Sequence, residues 1–135
     1  MIEELKIRLR KEEGEKQFPY TDTTGHITIG VGHNLSERGL SKAIIEAILS
    51  EDVSVAISDS FSIFPDFYGY SENRQIAILD LTFAMGKPTF MKFEKMIQAI
   101  KYGFWEKASG ELLNSVWAKQ VGHRALLLAQ ILEEG

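Results

Sequence analysis

A short run of alternating residues, set between long helical patterns, constrains the fold of this chain most. Residues 26–33 read HITIGVGH, and apolar residues at every second position are typical of a β-strand with two different faces. Ile27, Ile29, Val31 and His33 share one face, which is predicted to pack on a core. The other face carries Thr28 and Gly30, and its small side chains would let a ligand approach the backbone closely.

The segment before this strand predicts a helix over residues 2–13 that ends in a carboxylate. Glu13 continues an apolar stripe at helical spacing, and Gly14 supplies a stop signal. The stripe consists of Ile2, Leu5 and Leu9. Partial burial and the negative end of the helix dipole would both favour the protonated form of Glu13. This position would therefore suit a general acid.

The rest of the chain predicts helices, so the fold class is α+β. Asp52 lies on the apolar face of the first of them, four residues after Ile48. A buried aspartate and a buried histidine each need a partner, so we predict an ion pair between Asp52 and His33. The predicted helices cover 41–57, 72–85, 90–101, 104–114 and 122–133, with one or two short turns within 59–70.

Composition excludes several classes of protein and of site. The chain has 135 residues, no cysteine and a formal charge of −4. Disulfides, thiolate catalysis and cysteine-based zinc sites are therefore excluded, and the acidic balance argues against a nucleic-acid-binding protein. We predict no cofactor and no metal, because the pair His33 and Asp52 lacks an evident third ligand.

Glu13, Asp22 and Thr28 fall within one predicted helix–turn–strand unit. Each has an ordinary structural explanation: a solvated helix end, an Asp-x-x-Gly turn and a residue with high β-propensity. Together they match what glycoside hydrolysis requires, which is a protonated carboxylic acid and a second carboxylate. A nearby hydroxyl could help to hold the attacking water.

Three motifs in this region resemble the catalytic segment of phage lysozymes of the T4 type. They are Glu13-Gly14, Tyr20-Thr21-Asp22-Thr23-Thr24-Gly25 and Thr28-Ile29-Gly30-Val31-Gly32-His33, and they match the family in order and spacing. Looser similarities follow at Glu51-Asp52-Val53, Phe83-Ala84-Met85-Gly86, Ser115-Val116-Trp117 and Gly122-His123-Arg124-Ala125. Ala84 departs from the family, which usually has an amide side chain there.

The resemblance implies a single lysozyme-like domain over residues 1–135. It would contain an N-terminal helix, a small β lobe at about 14–40, an interlobe helix at about 41–58 and a larger helical lobe at about 59–135. The implied activity is cleavage of the β-1,4 bond between N-acetylmuramic acid and N-acetylglucosamine in peptidoglycan.

The resemblance also implies a role for individual residues. Glu13 would be the general acid, Asp22 the general base that orients water, and Thr28 a residue that positions this water. Arg124 would pair with Glu13 and tune it. Gly30 and Trp117 are further candidates for substrate binding.

Two other functions stay open on the sequence alone. One is a related enzyme on a similar glycan, such as a lytic transglycosylase or a chitinase. The other is a non-catalytic module that binds the cell wall. The acidic charge and Ala84 favour this second interpretation mildly, whereas the intact set of Glu13, Asp22 and Thr28 argues against it.

The N-terminal residues carry no basic leader followed by an apolar run, so we expect no secretory signal. The expected protein is a monomer with no stable membrane insertion, made in the cytoplasm of a bacterial host. It would reach the cell wall by release through a membrane lesion or by injection with a tail device.

Overall fold

A computed structural model describes all residues from 1 to 135 and has the predicted α+β class. Chain contacts divide it into two compact units, residues 1–47 and residues 48–135. The strands are β1 (Lys16–Thr21), β2 (Ile27–Gly30) and β3 (His33–Asn34). The helices are α1 (Ile2–Glu13), α2 (Leu35–Arg38), α3 (Lys42–Ile63), α4 (Glu72–Met85), α5 (Lys87–Phe90), α6 (Glu94–Lys101), α7 (Trp105–Leu113), α8 (Val116–Val121) and α9 (His123–Glu134), with a 3₁₀ turn at Phe67–Gly69.

The first unit contains a small antiparallel sheet in the order β1-β2-β3. Tyr20 pairs with Thr28 across β1 and β2, and Ile29 pairs with His33 across β2 and β3. The backbone N–H of Ile27 donates to Ser36 Oγ at 2.8 Å. This bond fixes α2 against the central strand.

The faces of β2 are opposite to those that the alternation predicted. Ile27 is 51% exposed, whereas Thr28 is 3% exposed. The period of two places these neighbours on opposite faces, but it does not determine which face the surrounding chain covers. Thr28 is therefore not on an open face, and its place beside a cleft stays a prediction.

Helix α1 has the predicted bounds but not the predicted burial. No residue in it is buried, and even the stripe residues Ile2 and Leu5 are 61% and 52% exposed. Glu13, its last residue, is also exposed. The burial expected for Glu13 is therefore wrong, since helical spacing shows that a stripe exists but not that it is covered.

The second unit is helical and contains the main core. Arg74 ties α4 to the end of α9, because its Nε donates to the Leu132 carbonyl at 2.8 Å while its guanidinium lies 4.2 Å from the Trp105 ring centre. The larger fully buried core side chains are Phe64, Phe67, Ile78, Leu81, Phe90, Met96, Ile100, Leu112 and Leu132.

Most predicted helices of this unit are present, with changes at their ends. α4 has the predicted bounds. α3 continues six residues beyond the predicted residue 57 and ends at Ile63, two residues before Pro65, which disfavours helical backbone in the residue before it. No helix of the protein is long and apolar enough to cross a membrane.

A buried pair of hydroxyls joins α3 to α4. Ser60 and Thr82 are 0% and 2% exposed, and their hydroxyl oxygens lie 2.9 Å apart. The Thr82 hydroxyl donates to the Ile78 carbonyl at 2.8 Å. Because that donation uses its only hydrogen, Ser60 must be the donor within the pair.

Replacing Thr82 with valine should lower the free energy of unfolding by about 1–3 kcal/mol, because Ser60 would then keep a buried donor without its acceptor. Urea unfolding measures the change. Thr89→Val at an exposed position is the matched control and should change the free energy by less than about 0.5 kcal/mol. Equal losses in the two variants would contradict a role for the buried pair.

Candidate active site

Asp22 is held in the turn between β1 and β2 by three hydrogen bonds to one of its oxygens. Oδ1 accepts from the Thr24 N–H at 2.9 Å, the Thr24 hydroxyl at 2.9 Å and the His26 N–H at 2.8 Å. The Asp22 N–H in turn donates to the His26 carbonyl at 2.9 Å. All hydrogen bonds to this carboxylate go to Oδ1, so Oδ2 is left for other partners.

These bonds lower the pKa of Asp22 below its ordinary value of 3.8. The largest cause is the backbone hydrogen bond from His26; partial desolvation opposes it, and the bonds from Thr24 and the charge of His26 add to it. Hydrogen bonds to a carboxylate favour its charged form. Asp22 is therefore ionised at neutral pH, which is the state a general base requires.

The lowered pKa has a consequence for stability. A carboxyl group whose pKa is lower in the folded than in the unfolded state stabilises the fold above its unfolded pKa, and this stabilisation is lost as pH falls through the folded pKa. Wild type and Asp22→Asn should differ in their free energy of unfolding at neutral pH. We expect this difference to shrink below about pH 4. Urea unfolding between about pH 2 and 6 measures it, and a difference that does not change with pH would contradict the expectation.

Glu13 is the last residue of α1 and lies against the turn that follows β2. A Cβ atom built on Gly32 would stand 3.0 Å from Glu13 Oε2 and 3.2 Å from its Cδ. Gly32 has a φ of +66°, a conformation that favours glycine. A side chain at this position would thus be strained and would also push the Glu13 carboxylate away.

With Glu13 as the general acid that the resemblance implies, Gly32→Ala should reduce glycan hydrolysis by about 100-fold, as expected when a reacting group is misplaced by about 1 Å. Gly103→Ala is a matched control, because Gly103 also has a positive φ, of +73°, but nothing within 4 Å of its Cβ position. Both variants should lose about 1–2 kcal/mol of stability from the positive φ. Equal activity in the two variants would show that the contact with Glu13 does not matter.

Thr28 lies on β2, between the turn that carries Asp22 and the turn that carries Gly32. Its hydroxyl donates to the His26 carbonyl at 3.2 Å, the same carbonyl that accepts from the Asp22 N–H. Thr28 therefore supports the Asp22 turn. Its contact with an attacking water stays a prediction.

His33 and Asp52 lie in different units, residues 1–47 and residues 48–135, and the ion pair between them stays a prediction. His33 is half-buried, and its Nε2 lies 2.6 Å from the Gly39 carbonyl oxygen. Asp52 is exposed. The burial predicted for Asp52 is wrong, because helical periodicity placed it on the apolar face of α3 but could not show that this face is covered at that level.

Arg124 and Trp117 belong to the second unit and have partners there. Arg124 Nε donates to Asp80 Oδ1 at 3.0 Å, and Nη2 forms a second bond to the same oxygen. The structure pairs Arg124 with Asp80 on α4, whereas the resemblance implied a pair with Glu13. Trp117 is half-buried and packs on the hydrophobic core, and its contact with substrate stays a prediction.

Three residues of this region were not predicted from the sequence. His26, Glu37 and Gly32 contact the predicted site residues or their neighbours. The Asp-x-x-Gly turn could have indicated His26, since the residue after such a glycine commonly closes the turn. Nothing in the sequence connects Glu37 with this turn.

The sequence is similar to those of known lysozymes. The family model for phage lysozyme matches residues 10–130. A probable T4-type lysozyme 2 of Dictyostelium discoideum is 29% identical over 164 aligned residues, which cover 100% of this chain and 96% of the relative. A second one, probable T4-type lysozyme 1, is 27% identical with the same coverage.

Two phage proteins are also similar. The pre-baseplate central spike protein Gp5 of Enterobacteria phage T4 is 28% identical over 94% of this chain, which corresponds to 27% of that protein. The endolysin of Salmonella phage P22 is 33% identical over 62% of this chain and 61% of its own length. The extent of the family match, together with the α+β fold, shows that this chain belongs to the phage lysozyme family of glycoside hydrolases.

Proposed function

We propose that this enzyme hydrolyses the β-1,4 bond between N-acetylmuramic acid and N-acetylglucosamine in bacterial peptidoglycan, with inversion at the anomeric carbon. Glu13 is the general acid and Asp22 is the general base. The observation that carries the proposal is the Asp22 carboxylate, in which three donors hold Oδ1 and Oδ2 remains for a water molecule.

The state of Asp22 favours hydrolysis over a transglycosylase reaction. A transglycosylase uses a hydroxyl of the sugar itself as nucleophile and has no need for a second carboxylate that activates water. An ionised aspartate, fixed by hydrogen bonds from its own turn, is suited to accept a proton from water. The lowered pKa of Asp22 keeps it in this ionised state.

The proposed reaction is one displacement with balanced proton transfers. The protonated Glu13 gives its proton to the glycosidic oxygen as the bond from that oxygen to the anomeric carbon breaks. Water attacks the anomeric carbon from the opposite face and gives a proton to Asp22 Oδ2. The sugar leaves with inverted configuration, and exchange with solvent returns the proton from Asp22 to Glu13.

The other site residues have supporting roles in this proposal. Thr28 holds the His26 carbonyl and with it the Asp22 turn. Gly30, which has open space at its Cβ position, leaves the backbone of β2 accessible to a sugar. Arg124 and Trp117 act through the fold of the second unit.

The biological setting is proposed from the relatives. The P22 relative is named an endolysin and the T4 relative a spike protein of the pre-baseplate, which favours two routes to the wall, release during lysis and delivery by a tail. In both, the enzyme acts as a monomer on the glycan strands of the cell wall.

Purified peptidoglycan tests the reaction. Wild type should release reducing ends, and mass spectrometry should find products that have gained one water for each bond broken. Anhydromuramic ends would identify a transglycosylase instead. Proton NMR of fresh products should first detect the α-anomer, since inversion of a β-linkage produces it, whereas an initial β-anomer would overturn the inverting mechanism. Absence of any cleavage would overturn the proposed substrate.

A further inference from the structure

A chain of hydrogen bonds extends from Asp22 to the surface helix α2. The Thr24 hydroxyl lies 2.9 Å from Asp22 Oδ1 and 2.6 Å from His26 Nδ1. On the other side of the imidazole ring, Nε2 lies 2.9 Å from Glu37 Oε1. One ring therefore connects the predicted general base, through one hydroxyl, to a second carboxylate.

Glu37 is held in place by its own helix. The Asn34 side chain caps α2 by accepting from the Glu37 N–H at 3.1 Å, and Ser36 binds the Ile27 N–H. The charged groups within 4 Å of the His26 ring are Glu37 on α2 and Asp22 on its own turn, whose Oδ1 lies 3.9 Å from Nδ1. Both are carboxylates.

Counting the hydrogens shows that this series of hydrogen bonds has two states. Thr24 has one hydroxyl hydrogen, which it can give to Asp22 or to His26 but not to both. When the His26 ring carries two hydrogens, Nδ1–H donates to Thr24 and Nε2–H donates to Glu37, so Thr24 donates to Asp22. When Nδ1 is deprotonated it becomes an acceptor, and the Thr24 hydroxyl turns to it and away from Asp22.

We propose that His26, Thr24 and Glu37 form a proton-sensitive relay that positions Asp22. Protonation of His26 directs the Thr24 hydroxyl to Asp22 Oδ1, and deprotonation withdraws it. His26 is a positioning residue, because its side chain acts on Asp22 through Thr24. Its link to catalysis rests on the proposed function of Asp22.

The relay predicts a specific pH dependence. kcat should fall as rising pH removes a hydrogen from the His26 ring, because Asp22 then loses one of its three donors. We expect a decrease of about three- to tenfold, the equivalent of one hydrogen bond. KM should change by less than about twofold, because the relay acts on the base and not on sugar binding.

The first test uses NMR and is independent of activity. The ¹³Cγ signal of Asp22, the only aspartate among residues 1–47, is followed from about pH 2 to 9 in full-length protein. Wild type should show a second step, at the pH at which the His26 ring loses its hydrogen, in addition to the step of Asp22 itself. His26→Leu should lose the additional step.

Thr24→Val separates the relay from simple charge attraction. This variant removes the hydroxyl but keeps the His26 ring and its charge, so the additional step should shrink to less than about a third of its size if it depends on the hydroxyl. A step that persists at full size in Thr24→Val would show a direct electrostatic effect of His26 and overturn the relay. No such step in wild type would also overturn it.

The activity profile is the second test. His26→Leu should remove this decrease in kcat, while the control His123→Gln, at an exposed histidine of the other unit, should keep it. Circular dichroism checks that each variant is folded. If neither wild type nor any variant cleaves peptidoglycan but the NMR steps behave as described, the proposed function fails and the relay stands. If wild type cleaves but His26→Leu has the same pH profile of kcat as wild type, the relay fails and the proposed function stands.

Discussion

Replacing Glu13 with glutamine should lower the release of reducing ends from peptidoglycan by about 100- to 10,000-fold, the range contributed by a general acid. Glutamine has nearly the same shape but no proton to give to the leaving oxygen. The exposed position of Glu13 means that little packing is lost, so the thermal midpoint should stay within about 2 °C of wild type.

The neighbouring residue supplies a matched control. Glu12 is also exposed, on the last turn of α1, with its Oε1 3.7 Å from Arg8 Nε. Glu12→Gln makes the same chemical change one residue away, and activity should stay within about twofold because an exposed ion pair contributes little. Full activity in Glu13→Gln, or equal losses in both variants, would refute the assignment of Glu13 as the acid.

The second large effect is expected at Asp22. Asp22→Asn should reduce kcat by about 100- to 10,000-fold with a smaller change in KM, because an amide cannot take a proton from water. The Asn Oδ1 can still accept the three hydrogen bonds that hold the turn, so the turn should keep its conformation. Steady-state kinetics on soluble glycan fragments give the two constants separately.

Asp66→Asn is the control for this change. Asp66 is exposed and its side chain makes no capping hydrogen bond at the 3₁₀ turn that follows it, so its loss should leave kcat within about twofold. If Asp22→Asn retains more than about a tenth of wild-type kcat, general base catalysis by this residue is contradicted. Anhydro products from such an active variant would favour the transglycosylase mechanism.

The amino-acid sequence determined the local features of this protein. Capping residues and helical spacing determine the bounds of α1 and α4, and turn residues and alternation determine the turn at Asp22 and the strand around Thr28. These signals depend on neighbours a few residues apart. The order of Glu13, Asp22 and Thr28 within one helix–turn–strand unit is also local. For this reason the family resemblance is visible in the amino-acid sequence alone.

Only the tertiary structure decided which faces are covered and which side chains meet. Alternation put Ile27 and Thr28 on opposite faces, but packing left Ile27 exposed and Thr28 buried. Arg124 contacts Asp80, 44 residues away in sequence, and Glu37 reaches His26 from a separate helix. Such contacts depend on how elements pack in space. Periodicity describes one element at a time and therefore carries no information about its partner.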